Sequence, residues 1–145
     1  DLDKDVNGYL DFKIPAYDGK PVTLRNIMTH TTGMEEQIRW LIATDPKAVA
    51  PLGDALKYWV PERIFAPGGT PAYSNYATAV AGYIVQRVSG EPFDEYVKRH
   101  IFDPLGMRHA SFSQPLQPDL LAQMSKGYST ASAAWPPPAA TWAGS

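Results

Sequence analysis

Cysteine is missing from this sequence, which excludes a disulfide scaffold, a thiol nucleophile and a metal site with cysteine ligands. Long apolar runs are missing too: none approaches the ~18 residues that a membrane span requires, and no signal-peptide pattern opens the chain. The 13 Lys and Arg residues are scattered and the formal net charge is only −2, so no basic stripe indicates nucleic acid or an anionic membrane as a partner. The sequence predicts neither a cofactor nor a metal.

Proline, by contrast, is abundant. Its 14 residues are about twice the average share of ~5%, which predicts much irregular backbone between short helices. With 44% hydrophobic residues, the chain can bury roughly two-thirds of its unfolded surface around one modest core. From Ser113 the periodicity fades into a Pro- and Ala-rich stretch, with Trp135 and Trp142 as possible anchors. We therefore expect a mainly α subdomain with long irregular loops over residues 1–112, and a loop or tail over 113–145.

The longest amphipathic pattern in the chain follows Asn75. Apolar residues recur there at the three-and-four spacing of one buried helix face. They are Ala77, Val80, Ala81, Ile84, Val85 and Val88. Gln86 and Arg87 fall on the opposite face, Gly90 suits the left-handed residue just past a helix end, and Pro92 suits the first position of the next helix. The pattern predicts a helix that ends at about Gly90.

A polar triplet, Tyr73-Ser74-Asn75, lies between a Pro- and Gly-rich turn and this helix. In an extended approach the Tyr73 phenol and the Asn75 carboxamide project to the same side, with Ser74 turned away. Such a pair of polar groups facing one space is a plausible pocket wall. Taken alone, the triplet favours a structural role instead, in which Ser74 or Asn75 caps the helix and Tyr73 packs.

Two shorter helices are predicted before the triplet. The first has Thr23 as its N-cap and can end at Gly33. Its predicted buried stripe is Leu24, Ile27 and Met28. The second is signalled by Asp45-Pro46 and ended by Pro61. Its predicted inner face is Leu52, Ala55, Leu56 and Trp59.

A further short amphipathic helix is predicted after Gly90. Its apolar positions are Phe93, Tyr96, Val97 and Ile101. Pro104 ends this helix because the residue before a proline is disfavoured in the helical conformation. The segment Leu105-Gly106-Met107 is then predicted to insert an apolar loop into the core.

Residues 3–11 match the calcium loop of an EF-hand at several ligand positions and at the turn glycine, Gly8. The twelfth position requires a bidentate glutamate, but Ile14 stands there, and Pro15 blocks the exiting helix. The alternative is a short helical turn with its acids outward. The inward residues of that turn are Leu2, Val6, Tyr9 and Leu10. The missing glutamate favours the helical turn over a calcium site.

Two other polar features favour ordinary structural interpretations. His30 has no second histidine or carboxylate at metal-ligand spacing, so we predict that it hydrogen-bonds within the turn from Thr29 to Gly33. Glu35 and Glu36 form an adjacent acidic pair, which more often marks a solvated surface than a couple of acid and base.

Five stretches of this chain occur together in an order that is more specific than any one of them. They are Asp1 to Leu10, Leu24-Arg25-Asn26-Ile27-Met28-Thr29-His30-Thr31-Thr32-Gly33, Pro67-Gly68 with Tyr73-Ser74-Asn75, the apolar helix ending Val88-Ser89-Gly90, and Ile101-Phe102-Asp103-Pro104-Leu105-Gly106-Met107. Together they resemble the family of serine β-lactamases and penicillin-binding proteins. The resemblance is greatest to the branch of class C β-lactamases, D-Ala-D-Ala carboxypeptidases and related esterases.

The resemblance implies the helical region of a two-part fold, without its main antiparallel sheet. The tyrosine that matches Tyr73 helps to move the proton of a serine nucleophile in this family. The asparagine that matches Asn75 hydrogen-bonds the substrate amide and a neighbouring lysine. The nucleophilic S-x-x-K element and the K-T-G or H-x-G element of the family are both absent. We therefore expect a middle segment of a larger serine hydrolase that is inactive alone.

Two functional hypotheses follow from the resemblance. In the first, the parent protein is a serine hydrolase for a small-molecule or peptide acyl substrate: a β-lactam, a D-Ala-D-Ala peptide or an ester. In the second, the protein is a non-catalytic scaffold or a peptidoglycan-binding protein of the same architecture. The resemblance implies a periplasmic or secreted location. A segment separated from its partner domain is also expected to expose an apolar face and to self-associate.

Overall fold

The computed structural model of the chain describes residues 1–36, 42–43, 45, 48–126 and 141–142. This part of the chain is rich in helices. The α-helices are α1 (Leu24–Met28), α2 (Leu52–Tyr58), α3 (Asn75–Ser89), α4 (Phe93–Val97) and α5 (Pro118–Leu121), supplemented by a 3₁₀ turn (Val6–Gly8) and a π-helical turn (Lys98–Phe102). In the described residues the strands are β1 (Ile42–Ala43) and β2 (Thr141–Trp142), paired antiparallel with Ile42 opposite Trp142. The mainly helical character predicted from the sequence is confirmed.

The chain divides into two compact units. Among the described residues, the first unit takes in 1–36 and 51–91, and the second takes in 92–126 with the strand pair. The triplet and α3 belong to the first unit. The domain boundary expected at residue 113 falls inside the second unit and stays a prediction. In the described part of the chain, no helix is both long and apolar enough to cross a lipid bilayer.

One apolar cluster forms the core of the first unit, and α3 lies at its centre. The buried members of the cluster are Val6, Ile14, Val22, Ile27, Met34, Leu56, Ala77, Val80, Tyr83 and Ile84. Three of the predicted α3 positions are therefore confirmed as core residues. Val88, however, is 67% exposed, and Tyr83, which the pattern did not select, is buried. The Tyr83 hydroxyl donates a hydrogen bond to the Asp11 carboxylate at 3.0 Å, so its polar group has a partner.

The ends of α3 follow the local chemistry of the sequence. Ser74 is the N-cap, and its Oγ accepts a hydrogen bond from the backbone N–H of Ala77 at 3.1 Å. At the other end Gly90 takes the left-handed conformation, with φ of 75°, and its N–H donates to the carbonyl of Gln86. The end at Gly90 was predicted, and Ser74 is one of the two N-cap candidates that the sequence offered. Pro92 is the residue before α4 and not its first position, so that prediction was wrong by one residue.

Helix α1 has the predicted cap but not the predicted buried stripe. Thr23 and Asn26 form a reciprocal capping box. Of the three predicted residues only Ile27 is fully buried, whereas Met28 is 68% exposed. Gly33 does not end the helix, which stops at Met28. Its φ of 75° instead allows the backbone to lie against the Phe65 carbonyl.

Helix α2 begins directly after Pro51 and not at Asp45, while Pro46 lies outside the described residues. Leu52 and Leu56 face the core as predicted, but Ala55 is exposed. The buried face is rotated because Gly53, which carries no side chain, lets α2 approach the Tyr83 ring closely. Helix α2 ends at Tyr58, before Pro61.

The second unit contains α4, the π-helical turn that continues it, and α5. Val97 is buried as predicted, and the turn ends before Pro104, but Ile101 is 42% exposed. Phe112 joins this unit by stacking on Phe102, with ring centroids 5.9 Å apart. The predicted insertion of Leu105 and Met107 into the core is wrong, since they are 70% and 43% exposed. Helix α5 was not predicted, although its proline stands at a favoured first-turn position.

Candidate active site

Two loops of the first unit are paired by backbone hydrogen bonds and place the triplet. One loop follows α1 at residues 30–35, and the other is the Pro- and Gly-rich segment at 62–72. Five bonds join them along their length: Glu35 N–H to Glu62 O (3.0 Å), Ile64 N–H to Gly33 O (2.8 Å), Phe65 N–H to Gly33 O (3.2 Å), Gly68 N–H to Thr31 O (2.8 Å) and Ala72 N–H to His30 O (2.7 Å). Two motifs that are far apart in the sequence thus lie side by side, and Tyr73 directly follows the second loop.

Tyr73 and Asn75 lie side by side on the surface at the start of α3. The Tyr73 hydroxyl donates a hydrogen bond to Asn75 Oδ1 at 2.8 Å. Tyr73 is 60% exposed, and Asn75 is partly buried. Ser74, between them, is fully buried and caps the helix. The structure therefore places all three side chains as the alternation of an extended approach predicts.

His30 is the aromatic neighbour of Tyr73. The two ring centroids are 4.8 Å apart, and the planes are tilted by 44°. The backbone of His30 bonds within its turn and to Ala72, at a positive φ of 53°. Its Nδ1 is buried and has no hydrogen-bond partner among the described residues. The prediction that this imidazole hydrogen-bonds within the turn is therefore wrong at Nδ1; the ring packs against the Tyr73 phenol instead.

Glu36 is the functional candidate that the sequence did not single out. Its carboxylate accepts two hydrogen bonds from Asn75, one from the backbone N–H and one from Nδ2, both at 2.9 Å. Only the acidic pair Glu35-Glu36 was noted in the sequence, and a solvated surface was the favoured interpretation. No local signal links Glu36 to a residue 39 positions away. The pairing of the two loops brings them together.

Tyr76, one residue beyond Asn75, is a second phenol near the site but faces the protein interior. Its hydroxyl donates to the backbone carbonyl of Leu56 at 3.0 Å. Burial raises the pKa of the Tyr76 hydroxyl, because desolvation disfavours the phenolate. Tyr76 is thus a neutral packing residue. Of these two tyrosines, Tyr73 is the one whose hydroxyl solvent and ligands can reach.

The calcium-like residues of the N-terminal segment are engaged in other bonds. Asp5 Oδ1 accepts from the Asn7 N–H and caps the 3₁₀ turn. The Asn7 side chain bonds both the N–H and the carbonyl of Ile14. The Arg25 guanidinium binds Asp3 through both carboxylate oxygens and holds the pKa of that carboxyl below its usual range. These contacts fit the helical-turn interpretation, with Val6 fully buried, but the predicted inward position of Leu2 is wrong because that side chain is 41% exposed.

Across the described residues, no group of three or more His, Asp or Glu side chains is arranged to hold a metal ion. The polar groups at the start of α3 are instead a phenol, an amide, an imidazole and a carboxylate. Such groups can form hydrogen bonds with an acyl substrate and can transfer a proton.

Solved structures share this fold. A β-lactamase/D-alanine carboxypeptidase from Yersinia pestis superposes with a TM-score of 0.75 over 99% of this chain and 41% of its own, at 23% identity. A penicillin-binding protein from Bacillus halodurans gives a TM-score of 0.68 over 88% of this chain and 40% of its own, at 25% identity. The helices and paired loops are therefore the fold of a region of β-lactamase and D-alanine carboxypeptidase proteins.

Sequence comparison gives the same family. The sequence model of the Beta-lactamase family matches residues 1–144. A putative penicillin-binding protein, PbpX of Bacillus subtilis, is 37% identical over 95 residues, which cover 66% of this chain and 23% of the relative. The D-alanyl-D-alanine-carboxypeptidase/endopeptidase AmpH of Escherichia coli is 31% identical over 103 residues, which cover 70% of this chain and 27% of the relative.

The chain belongs to the β-lactamase family. This confirms the family predicted from the five ordered stretches. The chain spans only about a quarter of the length of the curated relatives it matches.

Proposed function

We propose that the chain forms one wall of the active site of a serine hydrolase, with Tyr73 and Asn75 as its reactive and substrate-binding residues. The observation that carries the proposal is the 2.8 Å hydrogen bond between these two side chains at the start of α3. Membership of the β-lactamase family supports it. The nucleophilic serine and the lysine of S-x-x-K belong, in this proposal, to sequence outside these 145 residues.

The geometry of Tyr73 suits a proton relay. Its hydroxyl hydrogen is directed to Asn75 Oδ1, so the lone pairs of the phenol oxygen stay available to accept a hydrogen bond from another group. In the proposed acylation Tyr73 reacts as a phenolate, which no longer carries the hydrogen that the neutral phenol donates to Asn75 Oδ1. The serine oxygen attacks the acyl carbonyl carbon, its proton passes to the phenolate oxygen, and the phenol formed in this way donates that proton to the leaving group. The bond from the carbonyl carbon to the leaving group breaks, and an acyl-serine ester remains.

This relay requires a cation. An ordinary phenol titrates near pH ~10, so a tyrosine accepts a proton at neutral pH only where a nearby positive charge favours the phenolate. In the proposal the lysine of S-x-x-K supplies this charge. Because the sequence has no serine followed three residues later by lysine, the 145 residues alone are inactive.

The experiment compares the isolated chain with the protein encoded by its complete reading frame. Both are incubated with penicillin and analysed by mass spectrometry, and hydrolysis of a chromogenic cephalosporin and a chromogenic ester is followed. We expect a covalent adduct on the serine of S-x-x-K in the complete protein and none on the isolated chain. In the complete protein, Tyr73→Phe and Asn75→Ala are each expected to slow acylation by roughly 10²- to 10⁴-fold.

The matched control is Tyr58→Phe, which removes the hydroxyl of a tyrosine that is 85% exposed and lies at the end of α2. It is expected to leave acylation unchanged. An adduct on the isolated chain would overturn the proposal, and so would a Tyr73→Phe protein that is acylated as fast as the control. A complete reading frame without S-x-x-K would favour the non-catalytic scaffold or peptidoglycan-binding protein.

The second unit carries a set of exposed apolar side chains. We propose that they contact the part of the protein that lies outside these 145 residues. They are Ile101, Leu105, Met107, Phe112, Leu121 and Met124, each between 39% and 70% exposed. Such side chains mark a contact surface where they form one contiguous patch. We expect the isolated chain to self-associate, as measured by sedimentation velocity over a range of concentrations. A strict monomer at all concentrations would contradict this.

The proposal also includes a periplasmic or secreted location for the complete protein. Fractionation of cells that express it, followed by detection with an antibody against residues 1–145, tests this location. Recovery in the cytoplasmic fraction alone would refute it.

A further inference from the structure

Glu36 reaches Asn75 because the residues directly before it are paired with the second loop. Met34, two residues earlier, is only 2% exposed and forms an antiparallel bridge with Arg63. The N–H of Glu35 then donates to the carbonyl of Glu62 at 3.0 Å. This pairing of the two loops places Glu36 next to the start of α3.

The carboxylate of Glu36 contacts two donors of one residue. The backbone N–H of Asn75 and its side-chain Nδ2 each donate at 2.9 Å, to different carboxylate oxygens. The backbone N–H is one of the four at the start of a helix that lack an intrahelical partner, and negative charge is favoured there. Glu36 thus satisfies α3 and grips the Asn75 side chain at the same time.

This double contact decides which way round the Asn75 amide lies. A carboxylate can only accept hydrogen bonds, so only the NH₂ end of the amide can face Glu36. The carbonyl end, Oδ1, must then face Tyr73, and the Tyr73 hydroxyl must act as donor toward it. A glutamine at position 36 would not fix the orientation of the Asn75 amide. Its own amide presents both a donor and an acceptor, so either end of the Asn75 amide could face it.

We propose that Glu36 is a positioning residue for the site: it fixes the orientation of the Asn75 amide and, through it, the hydrogen bond of Tyr73. The functional meaning of this inference rests on the proposed function, in which Asn75 binds the substrate amide. The geometry itself does not require catalysis. Glu36 touches neither the substrate nor the nucleophile in the proposal and acts only through Asn75.

The spectroscopic test uses the chain as it stands. It has three asparagines, Asn7, Asn26 and Asn75, so selective ¹⁵N labelling of asparagine gives three pairs of side-chain NH₂ signals. Glu36→Gln is nearly isosteric, but it replaces one of the two accepting oxygens with an NH₂ donor, so the two bonds from Asn75 cannot both keep their geometry. We expect the backbone and side-chain signals of Asn75 to move in this variant. The signals of Asn7 and Asn26 should stay in place and report an intact fold.

Glu35→Gln is the matched control, because it removes the same charge one residue away. It is expected to leave the Asn75 signals where they are. Unmoved Asn75 signals in Glu36→Gln, or equal movement in both variants, would overturn the inference. Glu36→Ala, which removes both acceptor oxygens, should move the same signals and provides a second reading.

A kinetic arm applies to the complete protein. Glu36→Gln is expected to lower kcat/KM roughly 10- to 100-fold, since small misplacements of a positioned group cost rate on this scale. In an Asn75→Ala background the same change should have no further effect, because Glu36 acts through Asn75. An equal loss in both backgrounds would refute a positioning role. If the complete protein proves inactive while the spectroscopic result holds, the proposed function fails and the contact stands.

Discussion

The backbone of Gly53 in α2 lies against the aromatic ring of Tyr83 in α3. A Cβ atom built on Gly53 would stand 2.7 Å from three atoms of that side chain. Both residues are buried, and Tyr83 is only 5% exposed. The two helices can therefore approach this closely only because position 53 carries no side chain.

Gly53→Ala is expected to destabilise the first unit by about 1–3 kcal/mol, the usual cost of overpacking a well-packed site. The higher helix propensity of alanine offsets only part of this loss. Urea unfolding followed by circular dichroism measures it. Ala55→Gln, at an exposed position of the same helix, should change the free energy of unfolding by less than about 0.5 kcal/mol. A Gly53→Ala protein as stable as this control would show that α2 and Tyr83 are farther apart.

Gly33 and Gly19 offer a matched comparison of two causes of strain. Both take a positive φ, of 75° and 72°, which costs an L-residue about 1–2 kcal/mol. A Cβ on Gly33 would overlap the Phe65 carbonyl oxygen, whereas a Cβ on Gly19 meets nothing within 4 Å. Gly19→Ala should therefore cost only the conformational term.

Gly33→Ala should lower the free energy of unfolding by more than about 3 kcal/mol, since the loop pairing that carries Tyr73 must also shift. Thermal unfolding of the two variants in parallel makes the comparison. Equal losses for both would mean that the contact with Phe65 carries no weight.

The ion pair between Asp11 and Lys57 makes the stability of the fold depend on pH. Its carboxylate accepts from Lys57 Nζ at 2.7 Å and from the Tyr83 hydroxyl, and the bond with Lys57 lowers the pKa of Asp11 most. A pKa that is lower in the folded than in the unfolded chain stabilises the fold above the unfolded value of ~3.9. This contribution is lost as the pH falls through the lower folded value.

Asp11→Asn should therefore reduce the urea midpoint at pH 7, and the difference from the unsubstituted protein should shrink once the pH falls below about 4. Urea titrations at neutral and acidic pH measure this. Glu62→Gln, an exposed acid of the same unit, is the control and should show a much smaller difference at pH 7. A difference for Asp11→Asn that stays constant down to low pH would rule out the ion pair as its source.

Ser74 separates helix capping from chemistry within the triplet. It is fully buried, and its Oγ caps α3 through the Ala77 N–H. Ser74→Ala should cost about 0.5–2 kcal/mol of stability. Thr78→Ala removes an exposed hydroxyl that bonds back to the Ser74 carbonyl, and it should be close to neutral. Differential scanning calorimetry distinguishes the two, and equal melting temperatures would argue against a capping role for Ser74.

The course of α3 could be predicted because its signals are local. The spacing of Ala77, Val80 and Ile84 and the glycine at position 90 specify a helix and its end without knowledge of the rest of the chain. The same rules failed at Met28 and Val88, which have the correct spacing but are exposed. Periodicity shows which residues share a face; it does not show how far the neighbouring segments extend along that face.

The sequence by itself determined the family, the helical character and the presence of Tyr73 and Asn75 on one side of the chain, because each of these depends on order and spacing along a few residues. Only the tertiary structure decided the setting of the site. The pairing of the two loops brings Glu36 to Asn75 and His30 to Tyr73 across long separations. Contacts of this kind leave no periodic trace, since they depend on how loops without regular structure are held against each other by backbone hydrogen bonds.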